Sequence, residues 1–223
     1  MKIAALGAVA GLAVAATAQA GVPWDATETH MASFGGPMSP YDDTATLPQF
    51  DEMGGQRELV GVCMTYDLSI SAQVTAENDS VLPAPDFAVN LSGFATISFG
   101  GLSDTVGIST GASFGVGPTD NGGMANGMGS DFHDFGLLTD MATGGDDVFF
   151  FPLAQYIGNG TIDAMIHAEA GFSVSGTTDS TIQTTMFAAS GTVTIEYKYN
   201  VIPTPGTAAI LGLAGIAGIR RRR

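Results

Sequence analysis

An unbroken alternation of apolar and polar or small residues runs from Val60 to Ala76. A period of two is typical of a β-strand that has one face on a core and the other in water. The segment therefore predicts a long, half-buried strand. Because the run exceeds the usual length of a strand, we expect a bulge or a bend that lets it serve two sheets.

The same alternation returns in shorter segments further along the chain, separated by glycines and polar turns. No segment between the two ends of the chain shows a helical period. Seven or eight half-buried strands at this spacing predict an all-β domain, an antiparallel β-sandwich of jelly-roll type. The shorter segments are 87–99, 106–116, 162–174, 181–188 and 193–199.

The segment from Gly117 to Asp147 interrupts the alternation and is rich in Gly, Met and Asp, which predicts a long surface loop. Carboxylate oxygens on an irregular loop suit calcium, so we expect weak calcium binding there. The alternative is an acidic loop without a metal, because the spacing of an EF-hand and the glycine-rich nonapeptide repeat are both lacking. The segment offers Asp120, Asp131, Asp134, Asp140, Asp146 and Asp147, with His133 nearby, and the candidate ligands are Asp131, Asp134, Asp146 and Asp147.

A second acidic group lies on one predicted strand, where Asp163, His167 and Glu169 alternate with apolar residues. Residues two apart on a strand point the same way, so these side chains share one face. They offer ligands for a divalent metal, or they form an ordinary solvated face.

Residues 1–20 differ in composition from the rest of the chain. Lys2 precedes an apolar run, and Ala18, Gln19 and Ala20 form a small-x-small site. These features are typical of a secretory signal peptide, a helix that signal peptidase removes after Ala20. The domain that remains is predicted over residues 21–200.

Residues 201–223 read VIPTPGTAAILGLAGIAGIRRRR. The charge-free run from Thr207 to Ile219 predicts a helix of about 20 Å, short of the roughly 30 Å hydrocarbon core of a bilayer. A cluster of arginines beside such a run resists translocation. The tail is built from Pro203, Thr204, Pro205 and Gly206, then the apolar run, then Arg220, Arg221, Arg222 and Arg223.

This three-part tail resembles the PEP-CTERM sorting signals of exported bacterial proteins. The resemblance implies transient anchoring in the inner membrane and cleavage near the proline motif by an exosortase-like enzyme. Thr204 stands where the usual motif has glutamate. A plain C-terminal membrane anchor is the alternative.

Two short motifs in the body of the chain are similar to those of the choice-of-anchor E domain, another bacterial family. The resemblance implies no enzymatic activity and no catalytic residues. The first motif is Leu47, Pro48, Phe50 and Asp51, with Leu59 after it, and the second is the closing strand SGTVTIEYKY, with Gly191, Thr192, Val193, Thr194, Tyr197 and Tyr199.

Charge and cysteine content restrict the classes of function. Residues 21–219 carry 22 acidic residues against only Arg57 and Lys198, a formal charge of −20. Such a charge excludes electrostatic binding to nucleic acid or to anionic lipid. The one cysteine, Cys63, cannot form an internal disulfide, so the stability of an exported domain has to come from its core.

Three functions remain open at this stage. The first is a non-enzymatic protein of the cell surface or extracellular matrix, with a structural or adhesive role. The second is a calcium-dependent module that binds an extracellular polysaccharide. The third is a secreted hydrolase, for which the sequence shows no catalytic motif, although two carboxylates on different strands would leave no local signature.

Overall fold

The computed structural model describes residues 24–38, 40–150 and 152–203, which form two packed antiparallel sheets. A short 3-10 helix, Ala154–Tyr156, is the one helical element within these ranges. The strands are β1 (Ala26–Pro37), β2 (Tyr41–Pro48), β3 (Arg57–Asn78), β4 (Ala84–Phe99), β5 (Leu102–Val116), β6 (Phe132–Phe149), β7 (Thr161–Ser175) and β8 (Ser180–Val201).

The predicted helices of the signal segment (1–20) and of the apolar tail lie outside the described residues. Among the residues that are described, no helix is long and apolar enough to span a membrane.

The order of the strands follows one nested pairing. One sheet has the order β1-β8-β3-β6 and the other the order β2-β7-β4-β5. The first strand thus pairs with the last, the second with the seventh, the third with the sixth and the fourth with the fifth. A β-ribbon folded at the β4–β5 turn and wrapped into two sheets has this connectivity, which is that of a jelly roll. The predicted antiparallel β-sandwich is confirmed.

The core lies between the two sheets and is built from the alternating apolar positions. On β3, the inward side chains from Val62 to Val74 are at most 3% exposed. Burying one such side chain contributes about 1.5–3 kcal/mol. The alternation of β3 thus supplies one wall of the core along most of its length.

The expectation for the long strand is partly confirmed. The register of β3 shifts between Leu59 and Gly61 and between Ser71 and Gln73 against β8, and between Val74 and Thr75 against β6. These irregularities add local twist to a strand of 22 residues. The expectation that β3 contributes to two sheets is wrong, because both of its partner strands belong to the same sheet.

The predicted loop over Gly117–Asp147 is wrong in its second half, where β6 runs from Phe132 to Phe149. An apolar periodicity is hidden there because three inward positions of β6 carry Asp140, Gly144 and Asp146. These residues face the edge of the opposite sheet. Only residues 117–131 connect β5 to β6 outside the sheets.

Strands β5 and β6 are both edges, and aspartate side chains link them across the gap between the sheets. An edge strand presents unpaired backbone groups that can join another chain. We call Asp104, Asp140 and Asp146 the carboxylate bridge, because each accepts a hydrogen bond from a backbone N–H of the other strand. The bonds run from Ser103 N to Asp146 Oδ2 (3.0 Å), from Ser109 N to Asp140 Oδ2 (3.1 Å) and from Gly145 N to Asp104 Oδ2 (2.8 Å).

We expect Asp104→Ala to lower the free energy of unfolding by about 1–2 kcal/mol, because Gly145 N and the Tyr66 hydroxyl lose their acceptor. The hydrogen bond from Tyr66 holds the pKa of Asp104 below its usual value. The stabilisation is therefore present above pH 4 and lost as the pH falls through the lowered pKa.

Urea unfolding at pH 7 and at pH 3 measures this effect. The control is Asp86→Ala, which removes an exposed carboxylate from β4 and should change stability by less than about 0.5 kcal/mol. An equal loss in both variants would contradict a specific role for the carboxylate bridge.

Candidate functional site

The structure does not bring the four predicted calcium ligands together. Asp131 precedes β6, Asp134 lies near its start, and Asp146 and Asp147 lie near its end. Twelve residues of extended strand separate the two pairs by about 40 Å. Across the described part of the chain, no group of three or more His, Cys, Asp or Glu side chains is placed to hold a metal ion.

Two of these carboxylates, besides Asp131, already accept hydrogen bonds from the protein. Asp134 Oδ1 accepts from Gln73 Nε2 at 3.0 Å and from Gly136 N at 2.8 Å. Asp146 belongs to the carboxylate bridge. Both side chains therefore have local roles in the sandwich.

A shallow groove of about 420 Å³ lies on the outer face of the β2-β7-β4-β5 sheet. Next to it, Phe94 is 38% exposed and its ring lies 6.1 Å from that of His167. Aromatic, hydroxyl and carboxylate groups thus share one open face. We call this surface the outer groove; its lining includes Asp42, Thr44, Thr96, Ser98, Met165 and His167.

The register of the sheet builds the outer groove from residues far apart in sequence. Asp42 on β2 lies opposite His167 on β7, which lies opposite Thr96 on β4. Thr96 in turn lies opposite Thr105 on β5, and their hydroxyls are 2.8 Å apart. One row of polar side chains therefore crosses all four strands.

His167 is held between two carboxylates. Its Nδ1 lies 2.7 Å from Asp42 Oδ1, and its Nε2 lies 3.3 Å from Glu169 Oε1. The hydrogen bond to Asp42 raises the pKa of His167 above 6.5, partly opposed by desolvation, and Glu169 adds to the rise. The imidazolium form is favoured because both ring nitrogens have carboxylate acceptors.

The predicted row of Asp163, His167 and Glu169 does share the outer face of β7. Asp163 accepts a hydrogen bond from Thr46 at 2.8 Å and lies four residues along the strand from His167. The carboxylate that joins the histidine comes instead from Asp42, on β2. A protonated imidazole has no lone pair for a metal, so this geometry favours an ion-paired cluster over a metal centre.

The two family-like motifs meet at one end of the sandwich. Phe50 is fully buried, and its ring lies 5.7 Å from that of Tyr197 and 5.2 Å from that of Tyr199. The Tyr197 hydroxyl donates to the carbonyl of Pro48 at 2.8 Å. Residues about 150 positions apart thus form one aromatic cluster.

Arg57 completes this cluster. Its guanidinium lies 4.5 Å from the centre of the Phe50 ring and 4.8 Å from that of Tyr199, and it donates to Glu28 at 2.7 Å. It also donates to the carbonyl of Asp51. Stacking and hydrogen bonding by one planar cation join the motif to β1 and β8.

We expect Asp42→Asn to lower the pKa of His167, because the first cause of its rise is the bond to Asp42. The raised pKa means that the ion pair stabilises the fold below about pH 6.5 and that this stabilisation fades as the pH rises through the folded-state pKa. NMR titration of the His167 ring measures the shift. Asp163→Asn is the control and should leave the pKa unchanged; an equal change in both variants would contradict the assignment.

No family model, curated protein or solved structure matches this chain. The resemblance to the choice-of-anchor E domain therefore rests on the residues of the two motifs. Leu47, Phe50 and Tyr197 are at most 1% exposed, so these residues contribute to the core. The function of the chain has to be argued from the site and from the two ends.

Proposed function

We propose that the chain is a non-enzymatic bacterial protein of the cell surface or extracellular matrix, exported through its signal segment and sorted by an exosortase-like enzyme. The observation that carries this proposal is the place where the chain enters and leaves the sandwich. Strand β1 begins at Ala26 and β8 ends at Val201, and Ala26 pairs with Tyr199. Both ends therefore leave from one pole, which we call the proximal pole.

Hydrogen bonds close the sandwich at residues near the predicted processing points. Asp25 N donates to Tyr199 O at 3.0 Å, and Val201 N donates to Asp25 Oδ2 at 2.9 Å. Ile202 N donates to Gln56 O at 2.8 Å, one residue before Pro203. Cleavage after Ala20 and near Pro203 would leave all of these hydrogen bonds intact.

Aromatic packing also secures the entering segment. The Trp24 ring stacks on Phe149 at 6.3 Å, and Lys198 Nζ lies 4.5 Å from the centre of the Trp24 ring. A cation over an aromatic face contributes about 0.5–2 kcal/mol. The fold is thus closed within four residues of the predicted signal cleavage.

We expect the native host to release a form that starts at Gly21 and ends between Pro203 and Gly206, because these positions flank the folded region. Intact-mass spectrometry of the membrane and matrix fractions measures both ends. Replacing Arg220 to Arg223 by alanine should abolish the released form if the arginines hold the tail at the membrane.

The matched control replaces Arg220 to Arg223 by lysine, which keeps the positive charge of the tail and should leave both processing points unchanged. Recovery of an intact Arg223 terminus from membranes alone would contradict sorting and would make the tail a plain anchor. Thr204→Glu, which restores the glutamate of the usual motif, would then be the first variant to test.

A second candidate function is binding of an extracellular polysaccharide at the outer groove. The observation that favours it is the combination of the exposed Phe94 ring with threonine hydroxyls and carboxylates on one open face. Sugar rings bind through apolar contact with an aromatic face and through hydrogen bonds to hydroxyl and carboxylate groups.

For this second candidate we expect glycan-array binding that falls at least tenfold in Phe94→Ala, because the aromatic contact is lost. Met31→Ala is the control, since Met31 is an exposed apolar residue of the other sheet. Repeating the array with a chelator tests whether binding depends on calcium. Equal binding by both variants would contradict recognition at the outer groove.

A further inference from the structure

Three loops converge at the end of the sandwich opposite the proximal pole, which we call the distal pole. They are residues 79–83, 117–131 and 176–179. Thr119 N donates to the carbonyl of Ser80 at 2.8 Å, and a hydroxyl of the third loop bonds the Ser80 hydroxyl at 3.1 Å. The loops therefore form one hydrogen-bonded unit.

Buried carboxylates underlie these loops. Glu77 is 3% exposed, Asp79 is 8% exposed and Asp131 is fully buried. The lysines and arginines of the described residues are Arg57 and Lys198, and both lie toward the proximal pole. The negative charge at the distal pole is therefore not balanced by a basic side chain in the described ranges.

Backbone N–H groups satisfy one of these carboxylates. Glu77 accepts from Asn126 N at 3.0 Å and from Gly127 N at 2.8 Å. These bonds fix the middle of the 117–131 loop over β3. Residues 128–130 after them are exposed, and the chain is buried again at Asp131.

Asp131 has one oxygen that is left without a partner. Its Oδ2 accepts from Asp120 N at 2.9 Å, whereas its buried Oδ1 has no hydrogen-bond donor within the described structure. Leaving a buried carboxylate oxygen unpaired is costly, because water can no longer solvate it. The atom therefore marks a place for a cation or a proton.

The unpartnered oxygen points at a second carboxylate across a glycine. Gly129 has φ +101°, and a Cβ built on it would lie 2.7 Å from Asp131 Oδ1 and would overlap Asp120 Oδ2. Both oxygens thus border the same small space beside Gly129. The two carboxylates can approach each other here because residue 129 has no side chain, and they repel each other unless a positive charge lies between them.

We propose that Asp120 and Asp131 bind a calcium ion in this space, with backbone carbonyls of the 117–131 loop and water as the other ligands. Calcium accepts six to eight oxygen ligands in irregular geometry, whereas magnesium demands a near-ideal octahedron. Only two acidic side chains are needed, which is consistent with the lack of a three-residue cluster among the described residues. Asp120 and Asp131 both belong to the acidic segment that the sequence offers for calcium, whereas Asp134, Asp146 and Asp147 do not take part in this site.

The site lies at the distal pole, so it is independent of the export route and of the outer groove. A bound ion would neutralise the repulsion between the two carboxylates and tie both ends of the 117–131 loop together. We therefore expect calcium to stabilise the folded chain. The competing chemistry is a proton shared by Asp120 and Asp131, and it predicts that calcium has no effect on stability.

The test is thermal unfolding and calorimetric titration of the full chain at pH 7, with calcium, with magnesium and with a chelator. A ligand at 100 times its dissociation constant should raise the melting temperature of a domain of this size by roughly 5–10 °C. Extracellular calcium modules have dissociation constants of about 0.1–1 mM, so the titration extends to 10 mM. Magnesium at the same concentration should have little effect.

Asp120→Asn is the decisive variant, because Asp120 is exposed and its substitution does not change a buried residue. It should lose at least tenfold in calcium affinity, and Asp131→Asn should lose more. The control is Asp179→Asn, an exposed carboxylate of the same pole, which should bind calcium like the wild type.

Lack of binding heat and of a thermal shift in the wild type would overturn the proposal. A shared proton would be indicated instead if calcium left the melting temperature of the wild type unchanged and Asp120→Asn melted at a higher temperature than the wild type.

Discussion

The pairing of the first strand with the last is the interaction on which the rest of the structure depends. Because β1 pairs with β8, every further strand finds its partner in nested order, down to the β4–β5 turn. The aromatic cluster around Arg57 secures this closing pair, since it joins Phe50 to Tyr197 and Tyr199. The two ends of the domain consequently leave side by side.

The acidic residues of the chain serve different physical purposes according to their place in the sandwich. Asp104, Asp140 and Asp146 accept backbone N–H groups between two edge strands and so replace part of a missing β-ladder. Asp42 and Glu169 hold a histidine on an open sheet face. Asp120 and Asp131 face each other at the distal pole without a cation from the protein. A single value for net charge conceals these distinctions.

The division of the molecule into two poles and two faces separates its proposed activities. The proximal pole holds the chain ends, the outer groove presents the aromatic and hydroxyl groups, and the distal pole carries the carboxylate pair. Each region depends on different residues, so the effect of a substitution in one region can be measured while the other two stay intact. A surface protein carried near its C-terminus would present the distal pole away from the point of attachment.

The sequence by itself determined the strands with a regular apolar period and the sandwich class, because these features are encoded by neighbouring residues. It also placed Asp163, His167 and Glu169 on one face. The tertiary structure alone decided that β6 is a strand, because the inward Asp140 and Asp146 are explained only by their contacts with β5. It likewise paired His167 with Asp42, 125 residues away, and Asp131 with Asp120 rather than with Asp134, Asp146 or Asp147. Contacts across strands depend on register and on the path of the chain, and these leave no periodic pattern in the sequence.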